Sequence, residues 1–119
     1  MMPRSLLVLA ALLAIPEVAG AATLIAPMVY ASGSEYISCL ATNSGTKPTR
    51  VTVTGRDMAG ATVAAQFDVC TVDVPPGGTC AASFGASVSC TFTSKGKLRA
   101  AVVLLDGLGH QLGSTPATK

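Results

Sequence analysis

Four cysteines are the residues of this 119-residue chain that are best suited to covalent or metal chemistry. Cys39, Cys70, Cys80 and Cys90 are separated by 30, 9 and 9 intervening residues. A zinc knuckle usually has about two to four residues between paired ligands, and a redox dithiol has the C-x-x-C spacing. The observed spacing therefore disfavours both kinds of site. It favours two disulfides in an oxidising compartment, with three pairings open.

His110 is the one histidine of the chain and the natural candidate for a general base or a copper ligand. No serine lies in a G-x-S-x-G nucleophile motif, and a blue-copper site would need a second histidine. We therefore expect His110 to be an exposed polar residue. The sequence predicts no catalytic residue, no metal and no cofactor. The alternative is a small periplasmic or extracellular enzyme, or a metal-binding protein, that uses His110.

The segment 98–105, LRAAVVLL, is the strongest candidate for a binding surface. A strand with one face in water alternates apolar and polar residues, and this segment stops alternating at Ala100. One explanation is a central strand whose outer face is covered by neighbouring side chains. The other is a surface for a protein partner or for self-association. That interpretation assigns the surface to Arg99, Ala101, Val103 and Leu105.

Residues 1–22 have the layout of a secretory signal peptide. Arg4 supplies one positive charge, residues 6–15 form an apolar run, and residues 18–22 are small. The run is too short to cross a membrane, which needs about 20 apolar residues. The chain is therefore predicted to be exported, to the periplasm or beyond the cell, and to have no membrane span. Cleavage is expected after Gly20, Ala21 or Ala22.

Residues 23–119 are predicted to form a single all-β domain. The net charge is +2 and the lysines and arginines do not form a continuous run, which argues against nucleic-acid binding. Aromatic platforms for sugars are also few, and most of the five aromatic residues are expected in the core. Short runs rich in Val, Thr and Ile alternate with turn residues, which is typical of an antiparallel sandwich of seven to nine strands. Strands are expected at 24–31, 36–43, 49–56, 61–67, 70–74, 79–84, 87–93, 97–105 and 110–114.

Two segments repeat one turn pattern, Asp-x-x-Gly followed by an apolar or polar strand residue. They are residues 57–60 and 106–109. The aspartate carboxylate can accept backbone N–H groups two residues later, and the glycine can adopt a positive φ. Both segments are therefore predicted to be hairpin turns.

Residues 43–53, NSGTKPTRVTV, and residues 70–80, CTVDVPPGGTC, carry a family resemblance. They resemble bacterial secreted immunoglobulin-like domains, in particular the abnormal-spindle/hydin type, in which two cysteines flank nine residues with a Pro-Gly turn before the second. The resemblance covers about residues 36–93. It implies a secreted β-sandwich without catalytic residues.

The resemblance also implies the disulfide Cys70–Cys80, which leaves Cys39–Cys90 as a bridge of the inter-sheet kind found in immunoglobulin-like sandwiches. A simple hairpin with a turn at 75–78 would place Cys80 opposite Asp73, so the chain is predicted to bend near Cys70 or at the prolines. The whole is predicted to be an exported, non-enzymatic, disulfide-stapled immunoglobulin-like sandwich with a structural or protein-binding role.

Overall fold

A computed structural model describes residues 22–119 of the chain. The predicted signal peptide lies outside these residues except for Ala22, whose backbone begins the first strand. The described residues form nine strands and no helix. The strands are β1 (Ala22–Ile25), β2 (Tyr36–Asn43), β3 (Val51–Arg56), β4 (Thr62–Val63), β5 (Phe67–Asp68), β6 (Thr79–Phe84), β7 (Ser89–Ser94), β8 (Leu98–Leu105) and β9 (Gln111–Pro116).

The strands form two antiparallel sheets. One sheet has four strands in the order β1-β7-β3-β4, and the other has five strands in the order β5-β6-β2-β8-β9. The chain passes between the sheets at several connections, and the one between β4 and β5 is made by residues 64–66. The prediction of an all-β antiparallel sandwich of seven to nine strands with two disulfides is confirmed.

The core lies between the sheets and follows the alternation of the strands. In β2, Ile37, Cys39 and Ala41 are fully buried and face the four-stranded sheet. Phe84 and Phe92 are the largest fully buried side chains, one from each sheet. Gly55, on β3 of the four-stranded sheet, lies against Phe84 of the other sheet, and a Cβ at position 55 would lie 2.6 Å from Cε1 of that ring. The glycine therefore makes room for an aromatic ring of the other sheet.

One side of the sandwich is closed by the carboxyl-terminal segment. Ile25 of β1 and Thr118 exchange two backbone hydrogen bonds, with N···O distances of 2.7 and 3.0 Å. Along β9, the backbone N–H and C=O groups of alternate residues bond to β8, and those of the residues between them point away from β8. Pro116 is one of the residues whose backbone points away. Proline has no backbone N–H to donate at this edge. Pairing of β9 with a strand from another molecule is therefore disfavoured.

Three of the expected strands differ from the structure. β1 ends at Ile25, and only Val29 makes a further bridge, to Val88. The run 61–67 is divided into β4 and the start of β5, because the chain changes sheets there. The strand expected at 70–74 is wrong: within this segment only Val74 pairs, with Thr49.

The two Asp-x-x-Gly turns have matching hydrogen bonds. Oδ1 of Asp57 accepts from the N–H groups of Ala59 and Ala61, both at 2.9 Å. Oδ1 of Asp106 accepts from Leu108 at 2.9 Å and from His110 at 2.8 Å. The glycines have φ values of 82° at Gly60 and 86° at Gly109. The sequence repeat therefore marks one turn solution used at two hairpins, as predicted.

Candidate functional site

The four cysteines form the two expected disulfides. Cys39–Cys90 joins β2 to β7, with the Cα atoms 6.5 Å apart, and it crosses the core from one sheet to the other. Cys70–Cys80 has a Cα separation of 5.2 Å. The described residues contain no free cysteine. The cysteines therefore act as covalent cross-links, and they leave no thiolate for metal or redox chemistry.

The Cys70–Cys80 disulfide forms because the chain bends after Cys70, as the pairing of residues across the predicted hairpin required. Asp68 pairs with Ala82, and the same register places Cys70 directly opposite Cys80. After Cys70 the chain leaves this ladder, and Val74 exchanges two backbone hydrogen bonds with Thr49 instead. It returns through a turn at 75–78, in which the N–H of Gly78 donates to Pro75 O at 2.8 Å and Gly77 has φ 78°. The residues between the two cysteines thus form a loop that leaves the β5–β6 pairing and returns to it at Cys80.

The predicted interaction residues lie together on the surface of the five-stranded sheet that faces away from the core. We call the outward-facing side chains of β5, β6, β2, β8 and β9 the outer face. β8 is a central strand of this sheet, between β2 and β9. On it the outward positions are Arg99, Ala101, Val103 and Leu105, since Val102 points into the core. Arg99 is exposed and the other three are half-buried.

The neighbouring strands extend this apolar surface with residues that the sequence reasoning missed. Leu40 pairs with Ala101 and with Ala81, and Tyr36 pairs with Leu105. Phe67, on the edge strand β5, pairs with Ser83 and is 61% exposed. In β2 the outward residues mix apolar side chains with hydroxyls, and they alternate with the buried Ile37, Cys39 and Ala41. The sequence did not show that Tyr36 and Leu40 lie beside β8, because that pairing joins distant segments of the chain.

The expectation that most aromatic residues are in the core is wrong. Phe84 and Phe92 are buried and Tyr36 is half-buried, whereas Tyr30 and Phe67 are more than 60% exposed. Phe67 is exposed because β5 has only two residues and lies at the edge of the sheet. An aromatic ring is thus available on the outer face.

Charge is nearly absent from the outer face. Arg99 is the one charged side chain at the outward positions of β5, β6, β2, β8 and β9, and the other polar residues there are serines, threonines and Gln111, which pairs with Leu105. Two of them, Thr42 and Thr79, bond to each other through their hydroxyls at 2.8 Å. With about 4.8 Å between strands and about 3.4 Å per residue, the face covers on the order of 600 Å². This is the footprint of the whole face, and its apolar side chains occupy part of it; exposed apolar patches of a few hundred Å² are often functional.

His110 lies at the hairpin between β8 and β9 and has a different environment. Its side chain is largely exposed, and Nδ1 lies 3.1 Å from Oδ2 of Asp106. The pKa of Asp106 is lowered, chiefly because the backbone N–H of His110 donates to the carboxylate. Within residues 22–119, no hydroxyl is hydrogen-bonded to the imidazole, and no group of three potential metal ligands occurs. The carboxylate is therefore occupied in holding the turn.

No protein-family model, curated protein or solved structure matches the chain. In the described part of the chain, no helix has the length and apolar character needed to cross a membrane. The resemblance to abnormal-spindle/hydin-type domains and the role of the outer face stay predictions.

Proposed function

We propose that this chain is an exported, non-enzymatic structural domain that associates with a second copy of itself through the outer face. The observation that carries the proposal is the composition of that face, in which apolar side chains lie among uncharged polar ones across five strands and Arg99 supplies the single charge. Exposed surfaces of soluble domains are normally interspersed with charged residues, so an uncharged sheet face favours contact with protein.

A second copy fits this surface because the charged residue lies at one margin. A twofold arrangement is the commonest form of homodimer and brings the same patch of both copies together. If the facing β8 strands run in opposite directions, Arg99 of one copy lies over the Tyr36 and Leu105 margin of the other. The two guanidinium groups then do not meet, and each can stack on an aromatic ring.

The two disulfides support an oxidising compartment, and the predicted signal peptide supports export to the periplasm or beyond the cell. The likeness to bacterial secreted immunoglobulin-like domains agrees with this placement and supports a structural rather than a catalytic role.

The test is sedimentation velocity of the purified, disulfide-bonded protein over about 10 µM to 1 mM. An interface of on the order of 600 Å² per copy belongs to the small class, so we expect reversible, concentration-dependent dimerisation. Val103→Lys places a charge in the middle of the outer face and should give a monomer. Thr52→Lys, on the exposed face of the other sheet, adds the same charge and should leave the dimer intact.

A protein that remains monomeric over this range refutes the proposal, as does a dimer that Val103→Lys leaves unchanged. Thermal unfolding of both variants checks that each is folded, because a misfolded Val103→Lys would mimic a loss of association.

A further inference from the structure

Cationic side chains collect at one end of the sandwich. The β2–β3 loop, residues 44–50, and the β7–β8 turn, residues 95–97, lie at this end because β2 and β7 finish where β3 and β8 begin. The opposite end holds the turns that carry Glu35, Asp57 and Asp106. We call the first region the basic end. It contains Lys47, Arg50, Lys95, Lys97 and Arg99, five of the eight cationic residues of the chain.

Two connected clefts open at the basic end. The first has a volume of about 420 Å³ and lies between residues 43–49 and residues 95–97. The second, of about 560 Å³, continues from Pro48 and Lys95 onto the exposed face of the four-stranded sheet. Lys95 lines both clefts. Together they form a trough that is longer than a single small ion requires.

The floor of the second cleft is a row of threonine hydroxyls. Thr23, Thr93 and Thr52 lie on three adjacent strands and pair directly with one another in the order β1, β7, β3. Adjacent strands are about 4.8 Å apart, so the hydroxyls repeat at roughly that interval. Each hydroxyl can both donate and accept a hydrogen bond. This floor suits a ligand with many hydroxyl groups.

The loops around the first cleft are held by buried hydrogen bonds. Asn43, which is 1% exposed, donates through Nδ2 to Lys47 O at 2.7 Å and to Val74 O at 2.9 Å, and its Oδ1 accepts from Gly45 N. The hydroxyls of Thr49 and Ser94 lie 2.7 Å apart. These bonds fix the backbone that carries the lysines, so the cleft is formed before a ligand arrives.

The lysines of the trough are available for a ligand. Within residues 22–119, neither Lys47, Lys95 nor Lys97 makes an ion pair, and no carboxylate lines either cleft. Arg50, which also lines the second cleft, is paired with Asp73 at 3.2 Å, and Asp73 does not itself line either cleft. A positive trough without internal counter-charges attracts anions.

We propose that the basic end binds an acidic oligosaccharide, in which sulfate or carboxylate groups contact the lysines and sugar hydroxyls contact the threonine row. No aromatic residue lines the clefts, so the stacking that single-stranded nucleic acids use is missing. No large apolar side chain apart from Pro48 lines them, which leaves nothing to insert into a lipid surface. The inference is independent of self-association, because neither cleft is lined by a residue of the outer face.

The experiment is isothermal titration calorimetry and amide chemical-shift mapping on the purified, disulfide-bonded protein, with a heparin-derived hexasaccharide as the probe. We expect binding that weakens as salt rises, with shifts at residues 44–50, 93–97 and 23. Maltohexaose serves as the neutral control and should bind far more weakly. Binding of maltohexaose with equal affinity would overturn the proposal.

Four variants separate a specific site from general charge. Lys95→Gln should weaken binding by about two- to fivefold, the range for an exposed charge pair. Arg56→Gln removes one charge at the opposite end and should have no effect. Thr93→Val keeps the shape but removes a hydroxyl, so it should weaken the hexasaccharide and leave inorganic sulfate unaffected. Thr62→Val, on the edge strand β4, is the matched hydroxyl control and should change neither ligand.

Three results would refute the proposal. They are equal losses for Lys95→Gln and Arg56→Gln, sulfate binding as tightly as the hexasaccharide, and tighter binding of a single-stranded oligonucleotide. The first would indicate non-specific attraction, the second a simple anion site and the third a nucleic-acid site. Because the substituted side chains are exposed, unchanged thermal unfolding is expected for every variant.

Discussion

The two disulfides should contribute unequally to stability, in proportion to the chain that each one closes. Cys39–Cys90 has a sequence separation of 51 and Cys70–Cys80 a separation of 10. In the chain-entropy treatment, removing the longer bridge costs about 4.1 kcal/mol and removing the shorter one about 2.7 kcal/mol. The constant cancels in the comparison, which leaves a difference of about 1.4 kcal/mol from the ratio of loop lengths.

The nesting of the bridges hardly alters this figure. Cys70–Cys80 lies inside the loop that Cys39–Cys90 closes, so it shortens the effective outer loop by about ten residues. Because the closure entropy depends on the logarithm of the length, the correction is only about 0.2 kcal/mol. Cys39 and Cys90 are also fully buried, so replacing both by alanine removes packed sulfur atoms from the core and adds to the loss.

The measurement is urea unfolding, by circular dichroism, of the double variants Cys39→Ala/Cys90→Ala and Cys70→Ala/Cys80→Ala beside the parent protein. The midpoint and slope together give the free energy of unfolding. For a domain of this size, a 1.4 kcal/mol difference corresponds to a gap of about 6–11 °C between the melting temperatures of the two variants. If the short-loop variant is equally or less stable, loop closure is not the source of the stabilisation and the reasoning is wrong.

Three further predictions concern single residues. Gly55→Ala should lower the free energy of unfolding by about 1–3 kcal/mol, because its Cβ would clash with Phe84. Combining it with Phe84→Leu should recover part of this loss. Losses that simply add in urea unfolding would contradict this account. Asn43→Ala should cost about 2–4 kcal/mol in the same assay, since two carbonyls and one N–H lose a buried partner, and a loss below 1 kcal/mol would argue against it. The lowered pKa of Asp106 means that its carboxylate contributes stability above its ordinary pKa, which is lost as pH falls through the folded-state pKa. The parent should therefore lose more stability than Asp106→Asn between about pH 5 and pH 2, and parallel stability curves would refute this.

The sequence was sufficient for the fold class and for the local turn chemistry. Alternation of small and β-branched residues predicted the strands, and the two Asp-x-x-Gly segments predicted hairpins with the observed hydrogen bonds. The register count around Cys70 and Cys80 also predicted a departure from simple hairpin geometry. In each case the information is local, because it depends on residues within about ten positions of one another.

The parts that the sequence could not predict depend on distant segments. Lys47 and Lys95 form one cleft only because two loops far apart in the chain meet at the same end of the sandwich. Phe67 is exposed because the chain changes sheets just before it, and no pattern in residues 61–67 marks that change. The prediction of a strand at 70–74 was wrong because Val74 pairs with Thr49, which is more than twenty positions away in the chain.

The Cys39–Cys90 disulfide between the sheets also determines how the domain responds to a mechanical pull on its two ends. Ile25 and Thr118 are joined by short backbone hydrogen bonds, so a stretching force acts on these first and peels the terminal segments away. The peeling stops at Cys39 and Cys90, because the covalent bond carries the load past everything between them. With a separation of 51 residues, roughly 170–180 Å of chain does not bear the force until both this disulfide and the nested Cys70–Cys80 disulfide are reduced. A pull on the two ends would therefore extend the domain only in part while the disulfides are intact, and reducing conditions would allow full extension.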